Sequence, residues 1–294
     1  REQAGLPDGR AGIVLAIHTF GDYLAYHPHI HCLATAGVFD KAHQFQLIRG
    51  TGCEELAQLF LFVQSFRQLE DLPEPLQEEV LSIAGINKKQ EEILKLPGLK
   101  DRWLVAGLLD SEEDNLYLSK SYLIGSESGR IALVMSYNYG SPRFDFNWPA
   151  GSAVEGEIVY YPGAFPYRAL VKKTKPFRQA LNIKEGFAEL SAFAANYANA
   201  LAANPWLHDF PAVLSEVTAT RHNGQLYLVD KQRQALPLSM SEASVWSLLA
   251  MSMDKALTVF GIWDGLQFTP ISILAQERVL SLQGAVVDFS EEDF

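Results

Sequence analysis

Beyond residue 98 the apolar residues come only in short runs separated by Gly, Pro and Asn, and this punctuation limits what the chain can become. Trp103–Leu108, Leu116–Ile124, Ile131–Tyr139, Glu157–Tyr161 and Ala169–Lys172 have the length and alternation of strands, and together they predict an antiparallel meander. Upstream the spacing is helical. From Cys53 to Leu72 the residues Leu56, Leu59, Phe60, Phe62, Val63, Phe66 and Leu69 recur at threes and fours, which predicts a helix with one buried face, ended by Pro73 and Pro75. Leu76–Ala84 reads as a second helix, and a third is expected from Asn87, with Gln90 in capping-box spacing. Downstream, 186–203 reads as a helix and Ser241–Ser252 as another. Val213–Ala219 and Leu226–Val229 flank an Asn223-Gly224 hairpin turn, and Leu257–Ile262 and Phe268–Leu274 meet at Asp264-Gly265. Two short runs, Gly12–Ile17 and His29–Thr35, predict an N-terminal strand pair. The expected class is α+β: a short N-terminal strand pair, a helical segment, then a mostly antiparallel β-sheet with packed helices.

A chain that is 48% hydrophobic and 20% charged over 294 residues is ordinary globular material. No apolar run reaches the roughly 18 residues of a membrane span, and the first residues lack the layout of a secretory signal, so a cytoplasmic protein with no membrane partner is expected. The chain opens on Arg1 rather than Met, which suggests that something preceded it. Cys32 and Cys53 are too few for a disulfide framework or a thiolate zinc site. Residues 1–50 hold four bases and four acids, so the net charge of −11 lies wholly in the remainder. An acidic body works against duplex DNA binding; the local stripe Lys172, Lys173, Lys175 and Arg178 could contact an anion, but solvated surface is the plainer reading.

Four of the seven histidines fall between His18 and His31. On a strand, residues two apart point to the same side, so His29 and His31 present two imidazoles together while Ile30 turns the other way. Such a pair can hold a divalent ion, although a catalytic site needs a third protein ligand; an incidental pair on a strand is the plainer reading.

The stretch GLPDGRAGIVLAIHTFGDYLAYHPHIHCLATAGVF, residues 5–39, resembles the nicking-domain core of HUH transposases, which move rolling-circle insertion sequences with two tyrosines. The resemblance implies that His29 and His31 bind Mg or Mn, with HTFGDY at His18–Tyr23 as the preceding strand and turn. His27 matches without a ligand role. The family's attacking tyrosines lie about one helical turn apart. No two tyrosines here are four apart, Tyr197 stands singly in its helix, and the family's cysteine-rich zinc module is missing. No catalytic residue is therefore assigned.

From Cys53 the chain resembles the C-terminal region of bacterial SWIM zinc-finger proteins. EELAQLFLFVQSFRQLEDLPEPLQEEV, DRWLV at Asp101–Val105, EEDNLYL at Glu112–Leu118, YYPGAFPYRAL at Tyr160–Leu170 and FGIWDG at Phe260–Gly265 carry the likeness. The zinc finger itself is absent, so no zinc site is expected. Tyr160–Tyr167 reads as a packed corner, Gly125–Gly129 as a turn, Trp103, Trp246 and Trp263 as core or hairpin anchors, and His208 and His222 as surface residues.

These readings predict a transposase-like HUH fragment over residues 1–50 joined to a SWIM-type region over 51–294, helical over 53–96 and sheet-rich over 100–294. The leading expectation is a non-catalytic fusion or relic that holds Mg or Mn weakly through His29 and His31. One rival is a functional DNA-nicking enzyme with single-stranded DNA as partner. The other is an interaction module whose C-terminal region binds a protein.

Overall fold

The computed structural model describes residues 13–18, 29–34, 37–39, 45–47, 53–179, 181, 183, 186–253, 255–275 and 278–282; at the four N-terminal segments, 53–56 and 243 it describes the backbone. The class is α+β, with mostly antiparallel sheets. Contacts divide the chain into two compact units: residues 1–89 with 162–164 and 204–206, and the remainder.

In the first unit, β1 (Ile13–His18) pairs antiparallel with β2 (His29–Ala34), and β3 (Gly37–Phe39) with β4 (Phe45–Leu47). The helix α1 (Cys53–Arg67) stops short of Leu72 because the chain tightens into a 3-10 turn at Leu69–Asp71; α2 (Glu74–Ile83) follows with Pro75 in its first turn, where a missing N–H costs nothing. The expected buried face of α1 is only partly realised. Phe62 meets Trp206 edge-on at 6.4 Å, but Phe60 and Phe66 are 66% and 43% exposed. Asn87 does not start a helix. Its Oδ1 accepts from the Ser82 hydroxyl at 3.0 Å, so the side chain is engaged by the end of α2.

The second unit begins with a single turn, α3 (Gln90–Ile93), and then a five-stranded barrel: β5 (Leu99–Glu113), β6 (Leu116–Gly125), β7 (Ile131–Tyr139), β8 (Ala153–Tyr160) and β9 (Arg168–Phe177). The expected meander holds for β5, β6 and β7 and then fails. The closed order is β5-β6-β7-β9-β8, with β7 and β9 parallel through Leu133↔Arg168 and Val134↔Ala169. Closure follows from the length of β5, which pairs with β8 along its first half and with β6 along its second. Asp114 and Asn115, both at positive φ (48° and 64°), turn the chain between β5 and β6 in the manner of a two-residue hairpin.

Trp103, Val105, Leu123, Ala132, Val134, Val154, Ile158 and Ala169 fill the barrel. Trp103 is fully buried and donates its indole N–H to the Gly156 carbonyl at 3.2 Å. Gly156 must lack a side chain, since a Cβ there would lie 2.4 Å from the Lys173 carbonyl oxygen.

The chain continues through α4 (Leu190–Ala203), β10 (Phe210–His222), β11 (Gln225–Val229), β12 (Ala235–Pro237), α5 (Glu242–Ser252), β13 (Leu257–Trp263), β14 (Phe268–Ala275) and β15 (Arg278–Ser281). The six strands form an antiparallel sheet, β12-β11-β10-β13-β14-β15. One core holds Phe193, Leu214, Leu228, Leu248, Val259 and Phe268; another joins the outside of the barrel at Ala106, Tyr122, Ile124 and Leu133 to Val213, Phe260, Ile262 and Ile271. Asp230, 5% exposed, accepts the Leu190 N–H at 2.9 Å and thereby caps α4 from the end of β11. Trp246 departs from its expected anchoring role, being 66% exposed on α5, whereas Trp263 packs edge-on against Phe193 and Tyr197. Among the described residues no helix is long and apolar enough to cross a membrane.

Candidate metal centre

The backbone register of β1 and β2 organises the histidines. His18 lies directly opposite His29, Ile17 opposite Ile30, and Ala16 opposite His31. Directly opposed residues of an antiparallel pair belong to the same side of the ladder, as do residues two apart on one strand. His18, His29 and His31 therefore occupy one face and Ile17 and Ile30 the other. Opposed positions are about 4.5–5.5 Å apart between Cα atoms, and positions two apart on a strand about 6.6 Å. The three backbone positions thus form a compact triangle on one face of the ladder.

The sequence reading paired His29 with His31 and used His18 only to mark the preceding strand. The missed signal is the register itself: His18 ends one strand and His29 begins the next, so a simple hairpin brings the two into line. His27, Tyr23 and Tyr26 lie outside the described residues. Among the described side chains no group of three His, Cys, Asp or Glu could hold a metal.

Several of the described tyrosines are poorly suited to attack a phosphate. Tyr197 sits on α4 among Phe210 and Trp263. Burial pushes the Tyr160 hydroxyl up to about 12 and raises that of Tyr122 as well. The Glu112 carboxylate, which shares a hydrogen bond with Tyr117, raises Tyr117 too. Each of these shifts lowers the phenolate fraction at neutral pH.

The motifs of the second region are built into its frame. DRWLV forms part of β5, where Asp101 holds the GSESG turn, and FGIWDG is the end of β13 with its turn. In the aromatic corner, Phe165 packs on Phe210 at 5.4 Å and Tyr167 at 6.1 Å. His208 and His222 are exposed.

The profile of a transposase family, described as "Putative transposase", matches residues 12–105, about a third of the chain. The match takes in β1 to β4, the helices α1 to α3 and the first half of β5. The chain thus carries a transposase-like region, and that region runs through residues 51–105. No curated protein and no solved structure matches the chain.

Proposed function

We propose that this chain is a fusion or relic: a transposase-derived HUH fragment that retains a metal-binding strand pair, continuous with a SWIM-type region, and that does not nick DNA. The observation that carries the metal-binding part of the reading is the register of β1 and β2, which brings His18 into line with His29 and beside His31. Three imidazoles favour Mn over Mg, because Mg holds its waters and prefers oxygen ligands. In the HUH chemistry the ion polarises the scissile phosphate and a tyrosine oxygen attacks it. No two tyrosines of this sequence stand four residues apart, and Tyr23 and Tyr26, three apart, precede the histidines rather than follow them as the family's nucleophiles do, so the covalent route lacks its nucleophile. The transposase match over residues 12–105 supports the origin of the fragment.

A second reading, an active nicking enzyme, is favoured by His18: a third ligand makes the metal site more complete than a histidine pair. One experiment separates the two. The full chain is incubated with Mn and a labelled single strand carrying insertion-sequence ends, then run on a denaturing gel. Mn binding without cleavage supports the relic; a covalent protein–DNA band that disappears in His29→Ala or His31→Ala overturns it.

A further inference from the structure

We infer that the outer face of β5, β8 and β9 is a binding surface for the backbone of a single-stranded nucleic acid. Three cross-strand rungs build it. Lys100, Glu157 and Lys173 form the first, Arg102, Glu155 and Lys175 the second, and Leu104, Ala153 and Phe177 the third. Trp103, the neighbour of Arg102 on β5, fills the barrel interior, so the alternation sends Lys100 and Arg102 outward.

In each of the first two rungs one carboxylate lies between two cations. Lys175 pairs with Glu155 at 3.2 Å, and Lys172 joins Glu157 at 3.2 Å where a bulge shifts the register. Five cations thus meet two acids on one face of a chain whose net charge is −11. Arg102 also lies over the Phe177 ring, 5.1 Å from its centroid. In sequence the four cations 172–178 look like a solvated stripe; the fold sets Lys100 and Arg102 in register with two of them, Lys173 and Lys175.

Charge complementarity selects a polyanion, and geometry selects one strand. Cations two residues apart on a strand are about 6.6 Å from each other, comparable to neighbouring phosphates of an extended single strand. The patch spans about 10 Å across its three strands, enough for one backbone and too narrow to reach a second across a groove. The faces of β6 and β7 at Tyr122, Ile124 and Leu133 are buried against β10, β13 and β14, whereas Lys100, Arg102, Lys172, Lys173 and Lys175 are exposed.

The surface stands independently of the histidine site, and the test keeps them apart. Binding of labelled oligo-dT and oligo-U to the full chain is followed by fluorescence anisotropy across a salt series. A slope of log K against log salt of about −2 is expected for up to about three neutralised phosphates. Lys100→Gln with Lys173→Gln should weaken binding and flatten the slope by about 1.4, with an unchanged circular dichroism spectrum. Lys231→Gln, which removes the partner of Glu216 at 2.7 Å on the other sheet, should leave binding unchanged, as should His29→Ala with His31→Ala. The ratio of dT to U binding names the preferred strand. The proposal is overturned if neither strand binds at low salt, if the face variants bind like the parent, if duplex DNA binds more tightly than either strand, or if anionic lipid vesicles bind and nucleic acid does not.

Discussion

The Asp101 carboxylate, on β5, holds the backbone of Ser128 in the turn that follows β6, accepting its N–H at 2.9 Å. The other carboxylate oxygen accepts the N–H groups of Arg102 at 2.7 Å and Glu127 at 3.1 Å. Asp101 is 6% exposed. Burial alone would raise its pKa, but the hydrogen bonds from Ser128, Glu127 and Arg102 outweigh that and hold the carboxyl below its ordinary value. A lowered carboxylate contributes stability above its unfolded pKa, about 3.9, and loses it as the pH falls through the folded value. Asp101→Asn should therefore cost about 1–3 kcal/mol at neutral pH. In urea titrations the gap between parent and variant should narrow below about pH 4; a gap that is the same at both ends would show that the charge contributes nothing.

Trp103 joins packing to a polar contact, so two variants read it separately. Trp103→Ala should destabilise by about 3–5 kcal/mol through the cavity it leaves. Trp103→Phe keeps most of the ring but leaves the Gly156 carbonyl without its donor, and about 1–3 kcal/mol is expected. Chemical denaturation measures both, and equal losses would mean that the indole N–H is the main contribution.

Asp230 caps α4 from a distant strand and also accepts the Gln234 N–H at 2.9 Å. Asp230→Ala strands both donors and should cost about 1–3 kcal/mol. Hydrogen exchange should speed up first at the start of α4. If exchange rises uniformly instead, the cap is not local.

Removal of His18 tests the proposed metal centre. With Mn followed by calorimetry or electron paramagnetic resonance, His18→Ala should weaken binding at least about tenfold, the equivalent of ~1.4 kcal/mol. Mg should bind more weakly than Mn in every variant. An His18→Ala chain that binds Mn like the parent would reduce the site to the pair His29 and His31.

Strand-level features were legible wherever a local rule governed them. Ile131–Tyr139 is alternating and punctuated at both ends, and it is a strand over those same residues. Asn223 and Gly224 turn the chain at φ of 50° and 84°, a left-handed backbone that Asn tolerates and that Gly, lacking a Cβ, adopts freely. What could not be read was pairing between distant segments. The strands of the barrel announce themselves, but β9 lying parallel to β7 goes with β8 occupying the place between β9 and β5, which no local pattern specifies. Trp246 looks like a core residue because nothing local distinguishes it from Trp103; exposure is set by what packs on a helix, and α5 is apolar on more than one side. His29 and His31 were visible as a pair because both sit on one strand. His18 required the register between two strands.

The parallel contact of β7 and β9 closes the barrel through two residue pairs, against nine along β6 and β7. Its members, Leu133 and Val134 with Arg168 and Ala169, are some 35 residues apart, so the chain must close a long loop before that contact rewards it. Substitutions along this seam should chiefly accelerate unfolding and leave the refolding rate nearly untouched, which would make the seam the latch that sets the lifetime of the native barrel.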